Sequence, residues 1–595
     1  MAALPYLQFT ERLVGAGHPS LSDTTNRALR ALLSQSGYDP DASPFPGLMG
    51  PVFNVKAEGA AGDEVANDAP DIDTSDTGAA DGGIVWFPRG RFLVGAQITK
   101  AAYSDWIGVR GVDPGNRTAK HGTVLVAGFD GGLVAYPVTG SLFASYSGIR
   151  GISFYSPGLG TYPNAIAISS NGNVRQVVIE DALIDGFNTG ISGPWGELYV
   201  ERVFIFNTKY GILSIGASDS WISKVHAGSG LAAPAGASGG AGFLFAGANS
   251  ITFDRCRGQV QKGGSGFDFR ACTRLILNKC FADTNELYGV LVVNCNEVEL
   301  NGCIIYDNGT VGANSKGIRI EAVSDTFTAG AGTDEITITG GNASLYWSAQ
   351  HGIVEFSNSG GALPTGLAAG VEYYLIAGSA ADKFKVAASH ADAVAGTAID
   401  ITGAGSGTNS ILGVTRDIRI IGGAVYDRNP GLATEQQDIG IQFVKTALNG
   451  AADGIIRNIT LDGVDLSRVA TPVQYTDNVD SGLRITKCPG IREDLLGSSS
   501  DATYRVGQQA PDVFFNNAFA ADVNITLSQD GAYSGAAFNI ARGVGATGAF
   551  NLVIKRSTGS TLATIAADAT NTQMVRCVYF AGSTNQWVLM KSAGF

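Results

Sequence analysis

The chain has 595 residues, more than one ordinary hydrophobic core can organise, so several domains or a repeat array are required. Its 81 glycines follow no Gly-X-Y period, which excludes a collagen. A net charge of −13 argues against nucleic acid as a partner, and no apolar stretch is long enough for insertion into a membrane.

Residues 1–50 read as a separate N-terminal segment. Ser22 or Asp23 can cap a short helix through Asn26–Leu33, and a Pro-rich linker follows from Asp39. Such a helix is expected to dock on another copy of the chain or on a larger particle. The first twelve residues show no basic region followed by an apolar run, so no secretory signal is expected.

The text changes at Val52. Phe53-Asn-Val-Lys-Ala-Glu-Gly-Ala-Ala-Gly-Asp63 reads as a strand and Gly-rich turn, and Gly82-Gly-Ile-Val-Trp-Phe-Pro-Arg-Gly-Arg-Phe-Leu-Val94 as a first full coil. Between them, Asn67-Asp-Ala-Pro70 and the acidic run to Asp81 lack an apolar stripe, so a helix there is expected to be short or missing. Asp71, Asp73 and Asp76 lack the Gly and Glu of a calcium loop and are expected in a solvated loop.

The clearest repeat lies between Ser250 and Val323. Ile251-Thr-Phe-Asp-Arg-Cys256, Leu275-Ile-Leu-Asn-Lys-Cys280 and Val298-Glu-Leu-Asn-Gly-Cys303 are one phrase written three times. Each is followed by a second apolar run starting at Gly266, Gly289 or Gly317. Alternation within each phrase is strand periodicity, and the period predicts an all-β fold, a parallel β-helix. The cysteine position extends to Ile152, Ala182, Val203 and Val225 before it, and to Gly423, Val464 and Cys488 after it. The sulfurs read as small apolar packing in a chain folded under reducing conditions, with no metal site and no cofactor expected. Residues 227–242 read as a projecting loop.

The β-helix is thus expected over 51–324 and 414–496. Residues 325–413 break the register with hairpin-like strands and are expected as a small inserted β module. Coil 303–323 should then stack directly on coil 418–443. Residues 503–595 carry alternating strands and predict a C-terminal β-sandwich-like cap.

Spellings of a serine-hydrolase elbow (Gly236–Gly240) and a dinucleotide fingerprint (Gly543–Gly548) lie in the wrong context. Carboxylates on the outer face are better candidates, since glycoside hydrolysis needs two of them. One column holds Glu180, Glu201, Ser223, Asp254, Asn278, Asn301 and Asp462, residue types that also stack at turns to satisfy the backbone. A second follows the anchor position: Asp283 with Glu286, then Asp307, then Asp427. One of Asp283 or Glu286 is the candidate acid, and Asp307 or Asp427 the base or nucleophile. Tyr288, Tyr306 and Tyr426 could stack on sugar faces, and Arg428 could hold an anionic sugar. A solvated turn is the plain alternative.

Segments 53–63 and 82–94 resemble the opening of the pectate-lyase-superfamily right-handed β-helices common in bacteriophage tailspikes. Leu363-Pro-Thr-Gly-Leu-Ala-Ala-Gly-Val-Glu-Tyr-Tyr374 resembles a small module inserted in many phage tail proteins, and the C-terminal layout resembles domains that close phage spikes. The polygalacturonase and pectate-lyase signatures are absent, so pectinase chemistry does not follow. The resemblance implies a virion protein made in the host cytoplasm, a homotrimer joined to phage tail or baseplate proteins through residues 1–50. It also implies binding, with depolymerisation, of a bacterial surface polysaccharide (capsule, exopolysaccharide or O-antigen), and the outer carboxylates favour hydrolysis over elimination. A non-enzymatic receptor-binding spike of the same fold is the alternative.

Overall fold

The computed structural model describes residues 51–490 apart from 81, 111–121, 138–146, 229–239, 310–315, 342–351, 381, 429–436, 478 and 481. Beyond these it describes 502–506, 512–515, 521–529, 532, 534–542, 550–566, 573–580 and 586–590. The helix expected near residues 22–33 and most of the loop expected over 227–242 lie outside them. Two compact units divide the chain, 1–214 with 219–238, and 215–218 with 239–595.

In the first unit, Val52–Asn54 is followed in one parallel sheet by Ile84–Phe87, Asp105–Gly108, Ser147–Arg150, Val177–Glu180, Leu198–Glu201 and Ser218–Ser223. A second sheet runs in parallel from Asp63–Asn67 through Gly90–Val94, Thr123–Ala127, Ile152–Tyr155, Leu183–Asp185 and Phe204–Phe206 to His226–Gly228. A third contains Gly132–Tyr136, Ile166–Ser170 and Thr189–Ser192. One strand per sheet per coil, always parallel, is a right-handed parallel β-helix.

The segment expected as a solvated loop is instead a helix, Ala69–Gly78. Its inward face carries Ala69, Ile72, Ser75 and Asp76, so two of the four buried positions are polar and the apolar stripe is missing from the sequence. Asp76 is fully buried. It accepts hydrogen bonds from the Trp106 indole, the Ser104 hydroxyl and the Ala101 amide, and Lys100 lies 3.9 Å away. Asp68, just before the helix, accepts from the Ala61, Gly62 and Leu93 amides and so ties the Gly-rich turn to the next coil.

The second unit is built on the same coil plan. Asn249–Asp254, Thr273–Asn278, Asn296–Asn301, Thr408–Ile421, Ile455–Asp462 and Arg484–Thr486 form one parallel series. Their inward residues Ile251, Phe253, Leu275, Leu277, Val298 and Leu300 are all buried. Each corner leading to the next sheet has a residue in the left-handed region: Arg255, Lys279, Gly302, Gly422, Gly463 and Lys487, with φ between 49° and 67°. These directly precede the anchor positions Cys256, Cys280, Cys303, Gly423, Val464 and Cys488, so the repeated phrase marks a corner of the coil. All seven cysteines are free and buried. Burial holds the Cys280 and Cys295 thiols well above the ordinary range, which keeps them protonated and inert.

At another corner, Gly266, Gly289, Gly317 and Gly440 stack in a column. A Cβ on Gly289 would lie 2.8 Å from the Gly317 carbonyl oxygen and 2.8 Å from the Asn308 amide nitrogen. The glycines therefore leave room for a buried amide ladder. Asn285 Nδ2 donates to Asn308 Oδ1 at 2.8 Å, and Asn308 Nδ2 donates to Gln437 Oε1 at 2.9 Å.

The insertion leaves and rejoins through two long strands. Lys316–Gly330 pairs in parallel with Tyr288–Val293 and Ile439–Ala447, and then turns antiparallel partner to Glu335–Ile338. Thr408–Ile421 begins antiparallel to Ile353–Ser359 and ends inside the β-helix. The boundaries expected at 325 and 413 thus fall inside continuous strands. Phe327, Ile336, Val354, Phe356, Tyr373, Leu375, Phe384 and Ile411 form a separate core for the module. Glu372 bonds Arg416 and Arg457, and Arg457 also bonds Glu355. Across the insertion Ile304–Tyr306 pairs directly with Ala424–Tyr426.

In the C-terminal part, two four-stranded sheets face each other. Val523, Ile525 and Leu552 of one sheet share a core with Phe538, Ile540 and Trp587 of the other, which makes a β-sandwich.

Candidate functional site

Three short strands place most of the candidate residues: Phe281–Asp283, Ile304–Tyr306 and Ala424–Tyr426. Ala282, Ile305 and Val425 point into the coil and are buried, so the residues on either side face outward. The register puts Asp283 opposite Tyr306, and Tyr306 opposite Tyr426. Asp307 and Asp427 stand one position further along. The single acidic column expected after the anchor is therefore two columns: one of Asp283 and two tyrosines, the other of Asp307 and Asp427.

Charge pairs build the site. Arg257 grips Asp283 through Nε and a terminal nitrogen, at 2.8 and 2.9 Å, and its terminal nitrogen also donates to the Tyr306 hydroxyl at 3.1 Å. Asp307 has a left-handed backbone, φ 52°, and accepts from the Arg428 amide at 2.8 Å and from the Arg428 guanidinium. Tyr306 and Tyr426 stack with ring centres 5.4 Å apart and planes 12° apart. Arg428 lies over the Tyr306 ring at 4.7 Å, and Arg468 lies over the Tyr426 ring at 4.8 Å. Burial raises the Tyr306 hydroxyl above the ordinary tyrosine range, and Asp283 adds to this against Arg257 and Arg428. Tyr306 is thus a neutral donor at physiological pH.

The structure brings together Asp283, Asp307, Tyr306, Tyr426 and Arg428. Asp427 shares a coil with Tyr426 and is buried, its amide bonded to the Arg468 carbonyl at 3.0 Å. Glu286 lies in the turn beyond Asp283, where it accepts from the Gly263 amide at 2.5 Å. Tyr288 begins a strand of the next sheet, between Lys316 and Arg319, and receives a hydrogen bond from Arg319 at 3.2 Å. Glu286 and Tyr288 are therefore outside the tyrosine stack. Arg257 and Arg468 were not among the sequence candidates. Arg257 directly follows the anchor Cys256, a position held by Phe281, Ile304 and Ala424 in later coils, so nothing in the repeat marks it.

The first column expected from sequence is in register, Glu180 opposite Glu201 opposite Ser223 in the first unit, and Asp254, Asn278 and Asn301 in the second. Its acids are engaged as well: Glu180 with Arg150, Glu201 with Lys224 and Arg202, Asp254 with Arg255.

Arginines and lysines thus occupy the carboxylate oxygens of Asp283, Asp307, Glu180, Glu201 and Asp254. Tyr306 is itself buried, so what the region presents to solvent is the half-buried Tyr426 ring with the exposed Arg428 and Arg468 guanidinium groups. That set suits a saccharide, which offers apolar C–H faces to rings and oxygens to cations.

No family model matches the sequence, and no curated protein matches it. Similar solved structures include the A-module of a mannuronan C-5 epimerase from Azotobacter vinelandii, 13% identical over 73% of this chain and 98% of that one, TM-score 0.41. Tailspike protein 3 of bacteriophage CBA120 is 9% identical over 80% of this chain and 70% of that one, TM-score 0.36. Tailspike protein 2 of Escherichia coli O157:H7 bacteriophage CAB120 is 12% identical over 48% of this chain and 41% of that one, TM-score 0.36. Structures similar to this chain thus include phage tailspikes and a polysaccharide-acting enzyme.

Proposed function

We propose that this chain is a phage tailspike that binds a bacterial surface polysaccharide through the ladder of Arg257, Tyr306, Tyr426, Arg428 and Arg468. The observation that carries the reading is the stacked Tyr306–Tyr426 pair with a guanidinium over each ring. Flat aromatic groups held by neighbouring coils make a pre-organised surface, so little ordering entropy opposes binding of a glycan chain. The sequence resemblance supports a virion location, attachment through residues 1–50 and a homotrimer.

Depolymerisation is the second reading. It is favoured by Asp283, Asp307 and Asp427 standing on three consecutive coils beside the tyrosines. Against it stands the occupation of Asp283 and Asp307 by arginine, which would have to be released for either to act as acid or nucleophile.

The test uses purified capsular polysaccharides and lipopolysaccharides immobilised for binding. The wild-type chain is expected to be retained on at least one, and Tyr426→Ala with Arg428→Ala to weaken retention about tenfold or more. No retention on any of them would sink the reading. New reducing ends would establish hydrolysis, and added ultraviolet absorbance of unsaturated uronates would establish elimination. Cleavage that survives in both Asp283→Asn and Asp307→Asn would remove those two acids from the chemistry.

A further inference from the structure

A second aromatic pair stands on the first unit. Leu198–Glu201 and Ser218–Ser223 are parallel neighbours, with Tyr199 directly opposite Trp221. Leu198, Val200, Ser220 and Ile222 point inward and are buried, whereas Tyr199 and Trp221 point outward and are 43% and 47% exposed. The same outer face also carries Ile84, Trp86, Ile107 and Val178, each half-buried, and ion pairs such as Arg150 with Glu180 and Asp105. Among the described residues of this sheet in the first unit, Tyr199 and Trp221 are the large apolar side chains left exposed, and they stand side by side.

The surroundings of the pair are acidic. Glu201 lies on the same face two residues beyond Tyr199, tied to Lys224 and Arg202. Glu197 and Asp219 both act on the Tyr199 hydroxyl, which burial first of all raises above its ordinary range. The result is an aromatic floor with a carboxylate rim. A pyranose matches it: one face of the ring presents C–H groups to the floor, and equatorial hydroxyls donate to the rim. Rings about 4.8 Å apart along the coil axis can lie under one sugar or under two consecutive ones.

Charge and area select among occupants. Uronates and phosphorylated sugars would meet Glu197 and Asp219 with like charge, Glu201 being already neutralised by Lys224 and Arg202. Two rings also cover far less than the roughly 800 Å² per partner of a stable protein interface.

We propose that Tyr199 and Trp221 form a stacking platform for uncharged sugar residues of a polysaccharide, a contact additional to the Tyr306–Tyr426 ladder. It rests on the glycan-binding reading, but on different residues and a different sugar chemistry.

The experiment is an array of purified bacterial surface polysaccharides, neutral and anionic, probed with the full chain and with Trp221→Ala, Tyr199→Ala, Trp221→Phe and Tyr306→Ala. Trp221→Ala and Tyr199→Ala are expected to bind neutral glycans about tenfold more weakly, Trp221→Phe to lose less, and anionic glycans to be unaffected by all three. Unchanged binding of neutral glycans by Trp221→Ala overturns the platform, as does a wild-type chain that binds no neutral glycan. A change in oligomeric state of Trp221→Ala on sedimentation assigns the pair to a second copy and also overturns it. Loss of binding in Tyr306→Ala alone removes the platform and leaves the ladder standing; loss in the Tyr199 and Trp221 variants alone does the reverse.

Discussion

At the scale of single residues, buried charge is the feature most removed from the visible sequence pattern. Lys100 is fully buried, donates to the Ser104 carbonyl and hydroxyl at 2.6 Å each, and lies 5.1 Å from the Trp106 ring centre. Burial lowers its ammonium from 10.5 to about 8, against the opposing pull of Asp76. Below pH 8 both folded and unfolded chains carry this proton, and the burial cost is present in full. Between about 8 and 10.5 the unfolded chain binds more protons, so this group's contribution to stability rises with pH, by about 3 kcal/mol over the window. Denaturation midpoints measured from pH 7.5 to 10.5 should therefore move in favour of the wild type relative to Lys100→Met. A constant difference between the two would mean that Lys100 keeps its ordinary pKa when folded and that burial does not disfavour its ammonium. Nothing in the spelling Thr99-Lys-Ala marked this residue, because its partners come from a helix and a loop that sequence spacing does not connect. The same holds for Arg257 and Asp283: the acid was legible as an outward position after the anchor, but the arginine that grips it was not, since it repeats in no other coil.

At the scale of elements, the repeat was legible because the corners are stereotyped. The sulfur positions sit next to a left-handed residue in every coil, and hydrophobic alternation then places each strand. The helix over Ala69–Gly78 was not legible, because a polar network fills the face that periodicity expects to be apolar. The glycines at 266, 289 and 317 were visible, but their reason was not: each leaves the space in which the next amide of the ladder lies. Gly289→Ala would press a methyl into the Ile305 side chain and place it 2.8 Å from both the Gly317 carbonyl and Asn308. Overpacking of this kind costs about 1–3 kcal/mol. Asn308→Ala should cost a similar amount, about 1–3 kcal/mol, because Asn285 and Gln437 lose their shared partner inside the coil. Denaturant unfolding that tracks the β-helix should report both losses. The double variant should cost less than their sum, since the two changes remove one packed arrangement. Additive losses would mean that glycine column and amide ladder are independent.

At the scale of the whole molecule, the inserted module tests how far a solenoid tolerates interruption. Coils in a repeat array are stabilised by their immediate neighbours, and here those neighbours meet across the insertion: Ile304 opposite Ala424, and Lys316 opposite Ile439. The module has its own apolar core, and its stem is an antiparallel ladder in which Asp325 faces Ile411 and Thr326 faces Ser410. The stem ends are thus close enough for a two-residue turn. Replacing residues 327–409 by Asn-Gly, with Ile411→Thr because that side chain belongs to the module core, should leave the β-helix folded. Arg416 and Arg457 would lose Glu372 and Glu355, but both are partly exposed and can be solvated, so the cost is expected to be small, about 1 kcal/mol. The shortened chain should keep its strand signature in circular dichroism and its retention on the polysaccharide bound by the full chain. Collapse of the fold would show that the module holds the coils together through the Glu372–Arg457 contacts. A folded chain that no longer binds would place part of the glycan surface on the module itself, beside the ladder rather than within it.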